Sequence, residues 1–358
     1  FMQAVIEQYK ATIRAAAAHE TPLQICGGGT KHFYGNSINW QSDTSLDSTV
    51  YRGLIESAPT ELIITARAGT RLSELEATLD LQGQMLAFEP PHFGASATLG
   101  GCIATGLSGP RRATAGAVRD FVLGVRMLNG MGEDCRFGGQ VMKNVAGYDV
   151  SRLMVGAMGT LGLLLEVSLK VLPKPSVEVT MCMQLTESSA IEKMNQWAGK
   201  PLPISATCYI DNQLVFRLSG AESAVRAAQA KLGGDELADS IAFWHSIREQ
   251  SHEFFQSDHS LWRLSIQSTT PPLSLPGRQL IEWNGGLRWL VCDENAQVDT
   301  IRRVAKDAGG HATLFRSRAS HAHAFHPLDE GIMNIHRALK AKFDPSRIFN
   351  SGRLYPEI

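Results

Sequence analysis

The chain has 358 residues, 44% of them hydrophobic and 19% charged, with a formal net charge of -1. This is the composition of a soluble globular protein too long for one typical core, so two domains are expected. A near-neutral chain has no global field to attract nucleic acid or acidic lipid, and its six scattered cysteines, with no Cys-x-x-Cys pair, argue against zinc ribbons, chain-held iron–sulfur clusters and a disulfide framework.

Residues 3–19 predict a helix, because Val5, Ile6, Tyr9 and Ile13 recur at helical spacing. A strand at 23–26 runs straight into Gly27-Gly28-Gly29-Thr30-Lys31, a succession of free N–H groups of the kind that cradles phosphate. No Gly-Lys-Ser/Thr closes the run and no glycine stands at 32, so it is neither a P-loop nor a Rossmann fingerprint. By itself it also fits a plain turn. A strand follows at 61–66, and Thr70 is expected to cap a helix carrying Leu72, Leu75 and Leu79 that Gly83 stops. A strand at 121–128 turns through Asn129-Gly130 and Gly132 into another at 134–137. Residues 163–171 alternate apolar and polar, which predicts a strand, and Pro173 and Pro175 mark a domain boundary.

Between Gly94 and Gly162 stand 15 of the chain's 33 glycines. Such density fits loops pressed against a large anionic ligand such as a dinucleotide, and equally a β-rich domain with many tight turns.

The second half predicts a strand at 177–184, a helix at 189–197, a hairpin around Asp211-Asn212 and a helix at 222–232. The order then resembles itself: a helix at 240–255, a strand at 262–267, a hairpin across Asn284-Gly285-Gly286, a helix at 297–308 and a strand at 311–315. Antiparallel hairpins separated by helices predict one sheet covered on one face. A last helix at 328–342 precedes Phe343-Asp344-Pro345 and Ile348-Phe349-Asn350.

Five motifs in this order resemble the vanillyl-alcohol oxidase/PCMH flavoprotein family. They are Gly27-Gly28-Gly29-Thr30, then Pro90-Pro91 with Gly100-Gly101, then Lys143-Asn144-Val145-Ala146-Gly147-Tyr148-Asp149, then Gly156-Ala157-Met158-Gly159-Thr160-Leu161-Gly162, and the closing 343–350 segment. Within that family the chain is most similar to the small FAD-binding subunits of bacterial glycolate oxidases, through 138–149, 106–112 and 201–205.

The resemblance implies an α+β chain: a two-subdomain PCMH-type FAD-binding domain over 2–173, a smaller α+β antiparallel-sheet cap over 174–325, and a segment at 326–358 returning to the first. It implies FAD, with the pyrophosphate on the amides of 27–31 and 98–101. The cofactor set is Gly27, Gly28, Gly29, Thr30, Lys31, Pro90, Pro91, Thr98, Leu99, Gly100, Gly101, Ala104, Thr105, Gly106, Asp120, Lys143, Asn144, Gly147, Tyr148, Asp149, Gly159, Leu161, Gly162 and Asn350, the last beside the flavin ring. Relatives with covalent flavin place a histidine where Thr30 stands, and His32 is out of register, so non-covalent FAD is expected. The implied reaction is oxidation of glycolate, a small 2-hydroxy acid, to glyoxylate. The implied partners are a larger FAD-binding subunit and an iron–sulfur subunit, in the cytoplasm or peripheral to the inner membrane through them, without direct membrane insertion.

The Gly-Asn-x-His and Glu-His-Gly motifs of larger 2-hydroxy-acid dehydrogenases are missing, and Ala157-Met158 replaces the family's Ser-Glu. No catalytic base is therefore assigned, and the alternative is an electron-transfer and assembly subunit without a substrate site of its own. His311, His321, His323 and His326 read as a solvated loop rather than a metal site. Arg111-Arg112 fit a substrate or cofactor contact, a surface turn or a partner contact. His92 and Tyr148 are flavin-proximal by family position, Trp283 and Trp289 read as cap packing, and Arg302, Arg303 and Lys306 as a solvated helix face.

Overall fold

The structure, a computed structural model, describes residues 2–38, 45–139, 149–293, 298–317 and 322–358. Helix α1 (Met2–His19) buries Ile6, Tyr9, Ile13 and Ala16, the apolar stripe its spacing predicts. Strand β1 (Gln24–Cys26) leads into the glycine run and pairs in parallel with β2 (Ser45–Asp47). There follow β3 (Leu54–Ala58), β4 (Ile63–Arg67), α2 (Leu72–Asp80), β5 (Gln84–Met85), α3 (Leu99–Thr105), α4 (Arg112–Ala115), α5 (Val118–Phe121), β6 (Val122–Leu128), β7 (Asp134–Gly138), β8 (Leu163–Lys170) and β9 (Leu172–Pro173). Strands β3-β4-β8-β6-β7 form an antiparallel sheet in that order. The middle strand, β8, serves two cores: Leu163 and Leu165 join the cluster of α1, while Val167 and Leu169 share one with Leu72, Leu75, Leu99 and Ile103.

The second sheet is built from β10 (Val177–Gln184), α6 (Glu187–Ala198), β11 (Ile204–Ile210), β12 (Gln213–Gly220), α7 (Glu222–Leu232), β13 (Asp235–Glu236), α8 (Ser240–Arg248), β14 (Ser260–Ser265), β15 (Arg278–Glu282), β16 (Leu287–Cys292), α9 (Val298–Asp307) and β17 (His311–Arg316). Its eight strands run β13-β10-β12-β11-β15-β16-β14-β17. Counted from either edge inward, each half places its fourth strand first, then its first, third and second. The internal likeness of the sequence is therefore a structural repeat, joined edge to edge where β11 meets β15.

One face of this sheet packs on α6, α7 and α9 through Tyr209, Phe216, Ile281, Trp262 and Leu290. The other is covered as well, which corrects the expectation of a single covered face. There Cys208, Leu261, Leu280, Leu287, Trp289 and Phe315 pack on Trp244 and Ile247 of α8, and on Tyr34, Leu107 and Met158 from the first half of the chain. Both faces being buried explains why these strands lack alternation in the sequence.

Helix α10 (Glu330–Phe343) carries the chain back toward its beginning. Leu23 donates its amide to the Ile348 carbonyl at 2.7 Å, and Ile348 and Phe349 are buried in the α1 cluster. Two local expectations fail. Thr70 does not cap α2, because its hydroxyl is held by the backbone of Gly53 at 2.9 and 3.2 Å. The helix expected over 240–255 ends at Arg248; Gln250 sits at φ 53° and a 3-10 turn, Glu253–Phe255, follows. Among the described residues, no helix is long and apolar enough to cross a membrane.

Candidate functional site

Two grooves adjoin between the end of β1, the start of α3 and the 156–162 loop. They share Ile25, Gly27, Gly101, Ala104, Met158 and Asn350, so they form one cleft.

The first groove is lined by Gly27, Gly28, Gly29, Thr30, Lys31, Thr98, Gly101, Ala104, Thr105 and Asn350 of the expected set. The amides of Gly28, Gly29, Thr30 and Lys31 donate to no group among the described residues, so four backbone donors remain for a ligand there. A row of unspent donors with a lysine beside it fits a pyrophosphate. The Lys31 ammonium, buried and held below its ordinary pKa by that burial, donates to the His92 carbonyl at 3.1 Å and the Thr30 hydroxyl at 3.4 Å. The amides at 98–101 behave differently from expectation. Leu99 and Gly100 donate to the carbonyls of Thr70 and Ala68, and Gly101 donates to the Thr98 hydroxyl at 3.2 Å. These donors close the turn of the chain into α3 and are already spent.

The second groove adds Gly100, Gly159, Leu161 and Gly162. Its walls are held by the returning C-terminus. Asn350 accepts from the Ile25 amide at 2.9 Å and donates to the Met158 carbonyl at 2.8 Å, so both ends of its side-chain amide are engaged. Gly159, at φ +73°, leaves Asn350 the room it needs: a Cβ there would lie 2.6 Å from its Nδ2. Asn350 thus joins β1 to the 156–162 loop. Below it, the fully buried Lys340 donates to the Thr160 and Phe349 carbonyls, each at 2.8 Å, and pairs with Asp344 at 2.9 Å. Burial pulls the Lys340 pKa down more than Asp344 restores it.

The remaining expected residues lie elsewhere. Leu99 is fully buried in the core, and Gly106 ends α3 in the left-handed region at φ 65°. Asp120 accepts from the Ala117 amide at 2.9 Å, and Asp149 accepts from the Ser151 hydroxyl at 2.8 Å. Pro90 precedes a loop whose next residue, Pro91, lines a separate small pocket. Lys143, Asn144, Gly147 and Tyr148 lie outside the described residues.

Several cleft residues escaped sequence reading, notably Ile25, Cys26, His32, Met158 and Arg353. Arg353 donates to the carbonyls of His32, Tyr34 and Asn36 at 2.6, 2.6 and 2.8 Å, which pins the strip following the glycine run. An arginine three residues beyond Asn350 was the available signal.

The two arginines of 111–112 have structural partners. Arg111 is buried and pairs with Glu89 at 3.4 Å and with Glu178. Arg217 bonds the same Glu89 at 2.8 Å, so a four-charge cluster whose two arginines are buried links the two halves of the chain. Arg112 stacks over Trp283 at 4.5 Å, and the Trp283 indole donates to the Gly109 carbonyl at 3.0 Å. Trp283 is therefore a bridge between the halves. His92 sits 3.1 Å from Glu76, and His326 accepts from the Ala312 amide. Arg302 is not on a solvated face; it donates to the carbonyls of His323 and Phe325.

A family model described as an FAD binding domain matches residues 4–138. Glycolate oxidase subunit GlcE of Escherichia coli (strain K12) is 47% identical over 358 residues, covering 100% of this chain and 98% of that protein. Glycolate oxidase subunit GlcD of Bacillus subtilis (strain 168) is 30% identical over 163 residues, 46% of this chain and 34% of that one. A solved alkyldihydroxyacetonephosphate synthase superposes with a TM-score of 0.65 at 15% identity, covering 96% of this chain and 75% of that one, and so speaks to the fold alone. The fold is the PCMH-type FAD-binding fold with an antiparallel-sheet cap, the cofactor is FAD, and the chain belongs to the glycolate oxidase subunit GlcE family of flavin-dependent oxidoreductases.

Proposed function

We propose that this chain is the small FAD-binding subunit of a multi-subunit glycolate dehydrogenase. In this reading 2–173 and 326–358 form the flavin domain and 174–325 the cap. The observation that carries it is the 47% identity to GlcE along the whole chain. The cleft supports it, because residues 28–31, whose amides are unspent, line the groove. Gly27 to Lys31 would hold the pyrophosphate, and the grooves reaching Leu161 and Gly162 would take the rest of the cofactor without a covalent link. When bound, FAD supplies a two-electron acceptor for oxidation of a CH–OH carbon. Lys31 compensates negative charge at the cleft, and Asn350 and Arg353 fix its two walls. The six cysteines are all free and scattered, so onward electron transfer falls to a partner that holds iron–sulfur clusters, alongside a larger flavin subunit. The assembly would work in the cytoplasm or at the inner membrane through its partners.

The test is an anaerobic visible spectrum of the assembled complex before and after glycolate. Loss of flavin absorbance followed by a change in the iron–sulfur bands is expected. A complex whose flavin stays oxidised with glycolate but bleaches with dithionite contradicts the assignment.

A further inference from the structure

The backbone from His92 to Ser96 runs alongside the glycine run and meets it at three places. The Ser96 hydroxyl donates to the Gly28 carbonyl at 2.7 Å, and the His92 carbonyl accepts from the Lys31 ammonium at 3.1 Å. Between them Gly94 lies against Thr30, so close that an added Cβ would stand 3.0 Å from its methyl group. An ammonium has three donors. Lys31 directs one at His92 and a longer one, 3.4 Å, at Thr30, which leaves one for the cleft it lines.

The 92–94 turn is not held by its own sequence. Phe93 sits in the left-handed region at φ 54°, a conformation that costs a residue with a side chain about 1–2 kcal/mol. What offsets that cost comes from the cap. Glu249, the first residue beyond α8, accepts the His92 amide at 3.1 Å and the Phe93 amide at 2.8 Å through the same oxygen. Arg248 donates to its other oxygen at 2.8 Å. The Glu249 side chain is only 12% exposed, and a charged acceptor shared by two successive amides is a stronger clamp than a neutral one. The Phe93 ring also meets Phe315 of β17 edge-on, with 6.3 Å between centroids. The turn that holds Lys31 is thus itself held by the cap.

We propose that Glu249 is a positioning residue for the cofactor: by clamping the amides of His92 and Phe93 it sets the His92 carbonyl, and through it the Lys31 ammonium, against the phosphates of FAD. The proposal rests on the reading that places the pyrophosphate at Gly27 to Lys31, and it makes cofactor affinity depend on a residue of the cap. Electrostatics act in the same direction. Burial lowers the Lys31 pKa, and the Glu249 carboxylate is among the groups close enough to oppose it and keep the cation charged.

The test is a double-mutant cycle on FAD affinity, read by flavin fluorescence as full chains freed of FAD are titrated with it. Lys31→Met and Glu249→Ala are each expected to weaken FAD roughly tenfold, and the double variant no further than Lys31→Met alone. Glu249→Gln, which keeps an oxygen for the two amides without the charge, should fall between wild type and Glu249→Ala. The rate of Lys31 acetylation in the same FAD-free chains, followed by mass spectrometry, reads the lysine without any ligand, and it should rise severalfold in Glu249→Ala. Losses that multiply in the double variant, wild-type FAD affinity in Glu249→Ala, or an unchanged acetylation rate each overturn the proposal. A wild-type chain that takes up no FAD instead contradicts the function proposed above, and the acetylation rates then decide the role of Glu249 by themselves.

Discussion

Glycine at 28 is a steric requirement. A Cβ there would lie 1.6 Å from the Ser96 carbonyl oxygen, backbone that cannot step aside, and the Ser96 hydroxyl bonds the Gly28 carbonyl at 2.7 Å. Gly28→Ala is expected to cost about 1–3 kcal/mol and to lower FAD occupancy, because the amide row moves with the strain. Gly199→Ala, with nothing within 4 Å of its added methyl, is the matched control and should leave both unchanged. Denaturant unfolding and flavin absorbance read the two effects. Glu282 gives a second prediction at this scale. Burial raises its carboxyl from the ordinary 4.5 to about 7, against the pull of the Trp289 hydrogen bond and of Arg263. Ionising it strains the native state but not the unfolded one, so its contribution is full below about pH 4.5 and is lost as pH rises through about 7. Glu282→Gln keeps the acceptor for Trp289 and removes the charge. The stability lost between pH 5 and pH 8 should therefore be smaller in the variant, by on the order of 3 kcal/mol. Equal losses in both chains would contradict the buried-carboxyl account.

The elements that shape the cleft are held by contacts far apart in the chain. Asn350→Ala would orphan the Ile25 amide and the Met158 carbonyl together, at roughly 2–4 kcal/mol, and FAD should dissociate more readily from the variant in a dilution assay. Lys340→Met would leave Asp344 buried without its cation, at about 3–5 kcal/mol, and thermal unfolding should show the drop. Restoring part of it by adding Asp344→Asn, which removes the unpaired charge while its single carbonyl oxygen still accepts from one of the Ile348 and Phe349 amides, separates lost charge pairing from lost packing. These elements also show what a sequence carries. Strands 177–184 and helix 222–232 were legible to the residue, because turn residues and periodicity are local. Thr70 looked like a cap because its type and position suit one, yet the Gly53 backbone, 17 residues away, claims its hydroxyl. The break after Arg248 was invisible because Gln250 carries no helix-stopping side chain; its φ of 53° is imposed by tertiary packing.

At the scale of the whole molecule, two sheets meet across one polar cluster and one apolar face. Glu89, Arg111, Glu178 and Arg217 tie them together. Burial pushes the Glu178 carboxyl up, but the two arginines beside it overcome this and leave it below its ordinary value. The glycine run, the 156–162 loop and Asn350 were readable as parts of one site because the motifs keep a family order. How they meet was not, since the Leu23 and Phe349 pairing spans almost the entire chain.

The central claim is that the cleft holds FAD without a covalent bond. Acid precipitation of the purified full chain, followed by measurement of flavin in the supernatant, tests it most directly. The account predicts about one FAD per chain, released into solution. Flavin that stays with the precipitate, or a colourless chain that takes up none on incubation with FAD, would contradict it.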